Sequence, residues 1–511
     1  MNVEMNSPSK IHQLSGPSVS PATLLCGFTL IAGFLVLNQS SLIDGSESWF
    51  NTFAGLEFFA ILIFSAISAA LIEKTIIHPY IFLQGTLALF IGGRFLASPF
   101  IGAEIFSDNN YIPIELSYSE ASHLMSRICG ALLMIHAGYL LIQVLHNNKR
   151  ITFPKDKAQK GLFIPCIALL LVSTVISMYG ISQHYAACVE RGYMAIYQDQ
   201  GTDNLLRLSS IGQYGLLLGA GLAFATSKRW LQMLAITLVT GYYIAYLGVG
   251  LRSGFLALVL MATWLAHTRL KRLNIITLIF VPVLMFGLAQ LSTTVGCRAS
   301  GGEAPVKEVP SHSTNSASKI PEAIQRYQEN LKLQQLAWFT YLQGSTLVYT
   351  GAAMRIDNYP SSAFFQTFIP GYSQIAHAIE PDKLNSDFYF PHYLARSYSE
   401  EKYEKGFGMG WSIFSDLSAF SKQNGFLFAL FSLILGSAIA YLLKGIETSA
   451  YLYGALICIF MKLMLLPRSG LYSVIPYLTV FTALFLGWKF FMYLIQLIRK
   501  EKNLTDETRP S

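Results

Sequence analysis

The residues of this sequence with the clearest capacity for chemistry are cations within or beside long apolar runs. Arg252 stands between glycines in Gly250-Leu-Arg252-Ser-Gly254, a stretch that separates two apolar runs and predicts a tight hairpin. Ionisable side chains in apolar runs are costly in a bilayer and face a cavity or a partner, which makes them candidates for function. Guanidinium groups bind phosphate oxygens through paired charge-assisted hydrogen bonds. The cations in and beside the apolar runs therefore predict a pocket for a phosphate or pyrophosphate group. These cations are Arg94, Arg127, Arg252, Lys462 and Arg468.

A structural role is the alternative for two of these cations. Arg94 and Arg127 could pair with Glu57 and with backbone carbonyls, and so lock helices together. All of the cations lie towards one end of their apolar runs, and no comparable group occurs in the middle. An ion or proton pathway would need ionisable groups near the bilayer centre, so the distribution favours a headgroup pocket at one membrane face.

A second group of candidates lies in a long hydrophilic region late in the chain. Pro391-His-Tyr-Leu-Ala-Arg396 places His392 near Arg396, and Gly406-Phe-Gly-Met-Gly410 follows with alternating glycines that allow backbone to approach a ligand closely. Trp411 to Phe420 then predicts a short interfacial helix from which Asp416 projects near the membrane surface. The alternative is an amphipathic connector on which Asp416 is merely solvated.

Composition shows what must position these residues. Hydrophobic residues make up 53% of the 511 residues and charged residues only 13%, whereas soluble proteins carry about 25% charged residues. An ordinary soluble enzyme is thereby excluded. Apolar runs of roughly 17 to 25 residues predict twelve spanning helices. They lie at Ala22–Leu37, Phe53–Ile72, Ile77–Ile101, Ala121–Leu145, Leu162–Gln183, Leu208–Ala225, Trp230–Gly248, Val249–His267, Asn274–Thr294, Phe426–Leu443, Ala450–Leu466 and Tyr472–Ile498.

The distribution of Lys and Arg predicts the orientation and the domains. These residues concentrate in the short loops on the side of both termini, which predicts cytoplasmic termini. Topology thus explains the net charge of +7, and no nucleic-acid partner is expected. The predicted organisation is membrane helices one to nine in residues 1–294, a large extracytoplasmic loop with amphipathic helices in 295–425, three further helices in 426–498 and a cytoplasmic tail in 499–511.

Metal and nucleotide sites are not expected. The chain has no H-E-x-x-H, no C-x-x-C and no phosphate-binding glycine loop followed by Lys-Ser/Thr. We therefore predict no cofactor and no metal. Cys188 and Cys297 both fall in predicted outer segments, where a disulfide between them and two free thiols are both open alternatives.

The sequence resembles a known family in about 30 of its residues and in its general plan. The resemblance rests on the Arg252 hairpin, on the long late loop, and on the stretch from Gly406 to Asp416 ahead of a glycine-containing span that includes Gly436. In these features it is similar to Wzy-type O-antigen and oligosaccharide repeat-unit polymerases. An all-α polytopic membrane protein of about twelve helices, with its large loop between the ninth and tenth, fits that family.

The resemblance implies a metal-independent glycosyltransferase of the bacterial inner membrane. Such enzymes move a growing glycan from undecaprenyl pyrophosphate onto the next lipid-linked repeat unit, for O-antigen or exopolysaccharide. The implied partners are undecaprenyl-pyrophosphate-linked oligosaccharides, membrane lipids and a chain-length regulator.

The resemblance also suggests roles for the candidate residues. Arg252 would bind the donor pyrophosphate and stabilise its developing charge, supported by Arg94, Arg127, Lys462 and Arg468. Asp416 is the first choice for the base that accepts the acceptor's proton, and His392 the second. Arg355 and Arg396 would bind glycan or the second pyrophosphate. Two other functions stay open at this point: an O-antigen ligase, and a flippase that transports lipid-linked oligosaccharides.

Overall fold

The computed structural model describes most of the chain as helices. It covers residues 47–108, 112–146, 161–191, 204–226, 228–250, 252–269, 334–380, 384–446 and 449–507, with Ser20, Leu24 and Gly27 besides. Everything below concerns these residues.

The first part of the chain contains eight helices and a small hairpin among the described residues. They are α1 Glu47–Glu73, α2 Pro79–Phe90, α3 Gly93–Ile101, β1 Ser107–Asp108, β2 Ile114–Glu115, α4 Tyr118–His146, α5 Phe163–Arg191, α6 Asn204–Phe224, α7 Arg229–Gly248 and α8 Ser253–Arg269. The two strands pair antiparallel, with Ser107 opposite Glu115.

The second part alternates short and long helices. After a helical segment at residues 334–343 come α9 Thr346–Met354, α10 Ser361–Phe368, α11 Tyr372–Ile379, a 3₁₀ turn Asn385–Phe388, α12 Phe390–Tyr398, α13 Glu400–Glu404, α14 Ile413–Ser421, α15 Gly425–Gly445, α16 Ala450–Met464, α17 Leu466–Ser469, a 3₁₀ turn Leu471–Ser473 and α18 Ile475–Glu507.

Seven helical segments of the described chain are long and apolar enough to cross a membrane, and α16 and part of α6 are shorter apolar helices. In a bilayer only helices or closed barrels satisfy every backbone polar group, so long apolar runs fold as helices. All predicted spans except the first and the ninth coincide with described helices. The ninth and nearly all of the first lie outside the described residues, so the total of twelve and the position of the large loop stay predictions.

The third predicted span differs from expectation because it is broken. α2 ends at Phe90 and α3 begins at Gly93, with two adjacent glycines at the junction. Glycine is a poor helix former, so a break there is inexpensive. The break turns the chain just before Arg94.

Close backbone contact joins α4 to α15. A Cβ atom at Gly138 would overlap the carbonyl oxygen of Leu433, and one at Gly436 would overlap that of Ile135. Small residues allow membrane helices to approach closely, where van der Waals packing is the main attraction between them. Later helices pack against this pair: α9 against α4, and α14 against α15.

The segments from residue 334 to residue 425 gather at one end of the helical bundle. Arg127 of α4 binds Gln423, and the Tyr341 hydroxyl donates to the carbonyl oxygen of Glu104 at 2.5 Å. The start of α4, the end of α3, the end of α16 and the start of α18 therefore meet the same layer of short helices. The candidate residues of the late region lie in this layer.

Candidate functional site

Asp416 is the most deeply enclosed of the candidate residues. Its side chain is fully buried, its Oδ1 accepts a hydrogen bond of 2.7 Å from Trp411 Nε1, and its Oδ2 accepts one from the backbone N–H of Leu471. The alternative of a solvated carboxylate is wrong, because the side chain is fully buried and the backbone at Leu471 binds it. The position of Asp416 relative to the membrane surface stays a prediction. Burial raises the pKa of this carboxyl to about 7, although the hydrogen bonds from Leu471 and Trp411 act to lower it.

Local sequence explains why α14 forms at this place. The Ser412 side chain accepts a hydrogen bond of 3.1 Å from the N–H of Ser415 and so caps the helix. Ile413, Phe414 and Leu417 are buried, so α14 packs into the protein core and does not lie on lipid. The apolar residues of the expected helix thus face the protein core, and its level relative to the membrane stays a prediction.

Gly470 makes the close approach to Asp416 feasible. Its φ is +78°, a region that side chains rarely adopt, and a Cβ atom there would overlap Oδ2 of Asp416. Sequence analysis did not single out Gly470. Its only signal was its place at the end of Pro467-Arg-Ser-Gly470, between two apolar runs.

Arg468 stands two residues before that glycine and is exposed. Its Nη1 donates to Gln343 Oε1 at 2.9 Å, and its guanidinium lies 5.6 Å from the centroid of the Phe90 ring. The Asp416 carboxylate therefore holds the turn that follows Arg468, and the Gln343 amide holds Arg468 itself.

His392 and Arg396 lie on α12, on the neighbouring side of this layer. His392 is exposed, with Nδ1 at 3.2 Å from the Tyr403 hydroxyl. Arg396 Nη2 donates to Glu400 Oε1 at 3.0 Å, and its Nη1 lies 3.9 Å from Asp387 Oδ1. Both side chains are reachable from outside the protein.

Trp411 connects α12 to Asp416. Its ring stacks on Phe390, with centroids 5.4 Å apart and planes at 5°, and Phe390 is the first residue of α12. The same indole also donates to Asp416. Trp411 thus contacts both the helix that carries His392 and the carboxylate that binds the turn after Arg468.

Arg94 is held by contacts within the protein. It is fully buried, its Nη2 binds Asp108 Oδ2 at 2.7 Å, and its Nη1 donates to the carbonyl oxygens of Ile105 and Ser107. The Tyr341 ring lies 4.4 Å from the guanidinium. These contacts agree with the structural role that the sequence offered as an alternative for Arg94. The carboxylate that binds Arg94 is Asp108, whereas Glu57 was expected.

Arg127 and Arg355 also have protein partners. Arg127 donates to the side-chain and backbone oxygens of Gln423, and Gln423 Nε2 donates to the Met354 carbonyl oxygen at 2.6 Å. Arg355 binds both carboxylate oxygens of Glu120, each at 2.6 Å. Both guanidinium groups thereby attach the start of α4 to the layer of short helices.

Lys462 has a different environment from the arginines. It is partly buried on α16, and among the described residues no carboxylate oxygen lies within 4.0 Å of its Nζ. Its Nζ lies 5.4 Å from the centroid of the Tyr477 ring. Tyr477 in turn stacks on Tyr214 at 3.9 Å, and the Tyr214 hydroxyl is buried with no hydrogen-bond partner in the described part of the chain.

Arg252 approaches the same region from the hairpin between α7 and α8. Gly250 has a φ of +90°, and Gly254 lies against the Tyr243 ring, so closely that a Cβ atom would overlap it. The Tyr243 hydroxyl accepts a hydrogen bond of 3.1 Å from Gln213 Nε2. Tyr243 is also close enough to Tyr477 for the two side chains to interact electrostatically. We call these rings the tyrosine cluster, with members Tyr214, Tyr242, Tyr243, Tyr246 and Tyr477.

The structure therefore divides the predicted cationic pocket. Arg468 lies beside the Asp416 turn, and His392 lies on the helix that Trp411 connects to Asp416. Lys462 lies over Tyr477 of the tyrosine cluster, and the Arg252 hairpin touches Tyr243 of that cluster through Gly254. The remaining arginines have protein partners. No group of three or more His, Cys, Asp or Glu side chains that could hold a metal ion occurs in the ranges described above. Cys188 is disulfide-bonded. Cys297 lies outside the described residues, so the pairing of these two cysteines stays a prediction.

Comparison with known families decides among the functions left open by the sequence. The family model of the O-antigen polysaccharide polymerase Wzy matches residues 24–502, nearly the full chain. The chain belongs to this family. Comparison with curated proteins and with solved structures gives no match.

Membership of the Wzy family confirms the resemblance drawn from the Arg252 hairpin and the late loop. The protein is a multi-pass membrane protein with a general role in O-antigen polymerisation, and lipid-linked oligosaccharides and membrane lipids are the partners that the family implies. Sequence reasoning missed the roles of Trp411, Gln423 and Gly470, because these roles depend on contacts with other parts of the chain.

Proposed function

We propose that this chain transfers a growing glycan from undecaprenyl pyrophosphate to the next lipid-linked repeat unit. The proposed site faces the periplasmic side of the bacterial inner membrane, with both termini cytoplasmic. The observation that carries this assignment is the pair of hydrogen bonds to Asp416. Through them one buried carboxyl attaches the turn after Arg468 to the layer that presents His392.

The reaction needs a group that stabilises the leaving pyrophosphate. The bond between the anomeric carbon of the glycan and a pyrophosphate oxygen breaks, and the acceptor hydroxyl oxygen bonds to that carbon. Negative charge develops on the pyrophosphate, and preorganised cations stabilise it. Arg468 is exposed for this role beside the Asp416 turn, and Lys462 and Arg252 supply a second cationic position at the tyrosine cluster.

The reaction also needs a base for the proton of the acceptor hydroxyl. His392 is exposed and its ring is oriented by the Tyr403 hydroxyl, so it can reach a substrate without rearrangement. Both oxygens of Asp416 are already hydrogen-bonded inside the protein. We therefore propose His392 as the proton acceptor and Asp416 as the residue that positions the Leu471 turn.

The other arginines have supporting roles in this proposal. Arg94, Arg127 and Arg355 hold the short helices on the ends of the membrane helices through the contacts given above. Arg396, partly exposed one turn along α12 from His392, remains the candidate for a contact with glycan. A chain-length regulator is a further partner in this proposal.

The experiment is a gel of surface glycan from cells that lack the gene and carry variants of it. Without the gene we expect a single repeat unit on its acceptor and no long chains. Arg468→Ala and His392→Ala should give the same pattern at normal protein levels. Lys405→Ala is the matched control, since Lys405 is an exposed cation paired with Glu401 and should support normal chains.

Other gel patterns would contradict the proposal. If no repeat unit reaches the acceptor, ligation or transport is the missing step, and the polymerase assignment fails. If long chains persist in both variants at normal protein levels, the polymerase could stand but these two residues would not be part of its site.

A further inference from the structure

Two short helices beside the proposed site have their larger apolar side chains on the outside. α10 and α11 are joined through Pro370 and Gly371, and residues 361–379 contain no Asp, Glu, Lys or Arg. The fully buried side chains of these two helices are small or hydroxyl-bearing. Those buried are Ser362, Ala363, Thr367, Ser373 and Ala376, whereas those exposed include Phe365, Phe368, Ile369, Ile375 and Ile379.

This distribution is the reverse of that on a helix in water. A surface helix of a soluble protein places its apolar face on the core and its polar face outside. Here Ile379 is 73% exposed, and contiguous exposed apolar patches mark contacts with a partner or a membrane. Each helix is too short to cross a bilayer, which needs about 20 residues.

Neighbouring elements indicate what covers the patch. α10 packs against α18, a membrane-spanning candidate, and against the 3₁₀ turn that precedes it. Phe426, in the first turn of the spanning candidate α15, is 75% exposed. α10 therefore lies beside the start of a membrane-spanning candidate, and the apolar face that it forms with α11 is at the level where that candidate begins.

We propose that α10 and α11 form an interfacial hairpin whose outer face lies in the acyl–headgroup boundary of the bilayer. Amphipathic helices bind there through the apolar area that they bury. The occupant of the patch is phospholipid, and the proposal does not depend on the polymerase assignment.

The inner face of this hairpin supports the proposed site. The Ser362 hydroxyl donates to the Asp387 carbonyl oxygen at 2.6 Å, and Gln366 Nε2 lies 3.3 Å from the Tyr389 hydroxyl. Phe364 packs edge-on against Phe390, with centroids 5.0 Å apart. α12 begins at Phe390, so the hairpin also fixes the position of α12, which carries His392, relative to the membrane.

The test is photocrosslinking of the full-length protein in its native membranes. p-Benzoylphenylalanine is introduced as Ile375→p-benzoylphenylalanine, Ile379→p-benzoylphenylalanine or Phe365→p-benzoylphenylalanine, one site per protein. Ser397→p-benzoylphenylalanine is the control, since Ser397 is exposed on α12 in the same layer. After illumination, mass spectrometry identifies whatever is attached at each site.

We expect phospholipid adducts at the three apolar positions, at roughly tenfold the yield of the control, because interfacial helices bury this face among acyl chains. Two results would overturn the proposal. Adducts to another protein or to another segment of this chain would show that polypeptide covers the patch. Lipid yields equal to the control would show that the patch faces water. Because the readout is an adduct, failure here leaves the glycan gel unaffected.

Discussion

Arg94 and Lys462 were predicted to share one anion pocket, yet the structure gives them opposite surroundings. Arg94 is fully buried against Asp108, two carbonyl oxygens and an aromatic ring. Lys462 is partly buried and has a tyrosine ring, with no described carboxylate within 4.0 Å. Both cations lie towards one end of their apolar runs, so this position in the sequence does not distinguish them.

The difference shows which kind of membrane cation is available to a substrate. Removing a charge from water is costly, and the structure offsets that cost for Arg94 with a carboxylate. For Lys462 the described protein supplies only ring electrons, which are a weaker partner. An anionic ligand would supply the negative charge that Lys462 lacks among the described residues. To bind Arg94, the same ligand would have to displace Asp108.

The largest expected effect is on stability, at Arg94. Arg94→Met leaves Asp108 buried without its cation and should lower the free energy of unfolding by about 3–5 kcal/mol. Thermal unfolding of the purified protein in detergent measures this. Combining Arg94→Met with Asp108→Leu removes both charges and should restore much of the loss. A single variant of normal stability that makes no long chains would instead place Arg94 in the substrate site.

Lys462→Met should have the opposite effect from Arg94→Met. Lys462→Met should not lower the free energy of unfolding, because it removes a partly buried charge whose desolvation no described carboxylate offsets, while long glycan chains should disappear. Glycan gels and thermal unfolding of the same preparations test both statements. Lys489→Met is the matched control, because Lys489 is an exposed lysine that also lies over an aromatic ring, that of Phe485. Destabilisation by Lys462→Met with normal chains would make Lys462 structural, like Arg94.

Gly470→Ala extends the comparison to the Asp416 turn. An alanine would be strained at the positive φ and would overlap the Asp416 carboxylate, with an expected loss of about 1–3 kcal/mol. Chains should shorten as well, since the turn beside Arg468 would move. Gly487→Ala serves as the control because no atom lies within 4 Å of a Cβ atom built there. Equal stability of the two variants would contradict the close approach of Gly470 to the Asp416 carboxylate.

The smallest expected effect is a pH dependence from Asp416. Burial raises its pKa from the ordinary value of 3.8 to about 7, so the folded state binds the proton more tightly than the unfolded state. The resulting stability is fully present below the unfolded pKa and is lost as pH rises through about 7. The unfolding temperature of the wild type should therefore decline from pH 5 to pH 8 more steeply than that of Asp416→Asn. Parallel profiles would show that Asp416 does not titrate in this range.

Much of the helical plan could be predicted because apolar length is a local property of the chain. The predicted span Phe53–Ile72 lies within α1, and Phe426–Leu443 lies within α15. The break between Phe90 and Gly93 was missed, since the surrounding run is apolar throughout and only its two glycines signal the turn.

The candidate site was predictable in its residue types and less so in its contacts. Asp416, Arg468 and His392 were all singled out, and the structure places them around one layer. The burial of Asp416 depends on Leu471, 55 positions away in sequence, and the partner of Arg94 was expected to be Glu57 instead of Asp108. Such pairings depend on which helix ends meet, and a single sequence carries no signal for that.

The amino-acid sequence was sufficient to establish a helical membrane protein with cations in and beside its apolar runs, since hydropathy and charge follow directly from residue type. Packing of the helices determined which cations were neutralised and which carboxyl was buried. It also turned the bulky side chains of α10 and α11 outward. The physical reason is that solvation and pairing depend on three-dimensional neighbours, and these are set by backbone contacts such as that between Gly436 and Ile135.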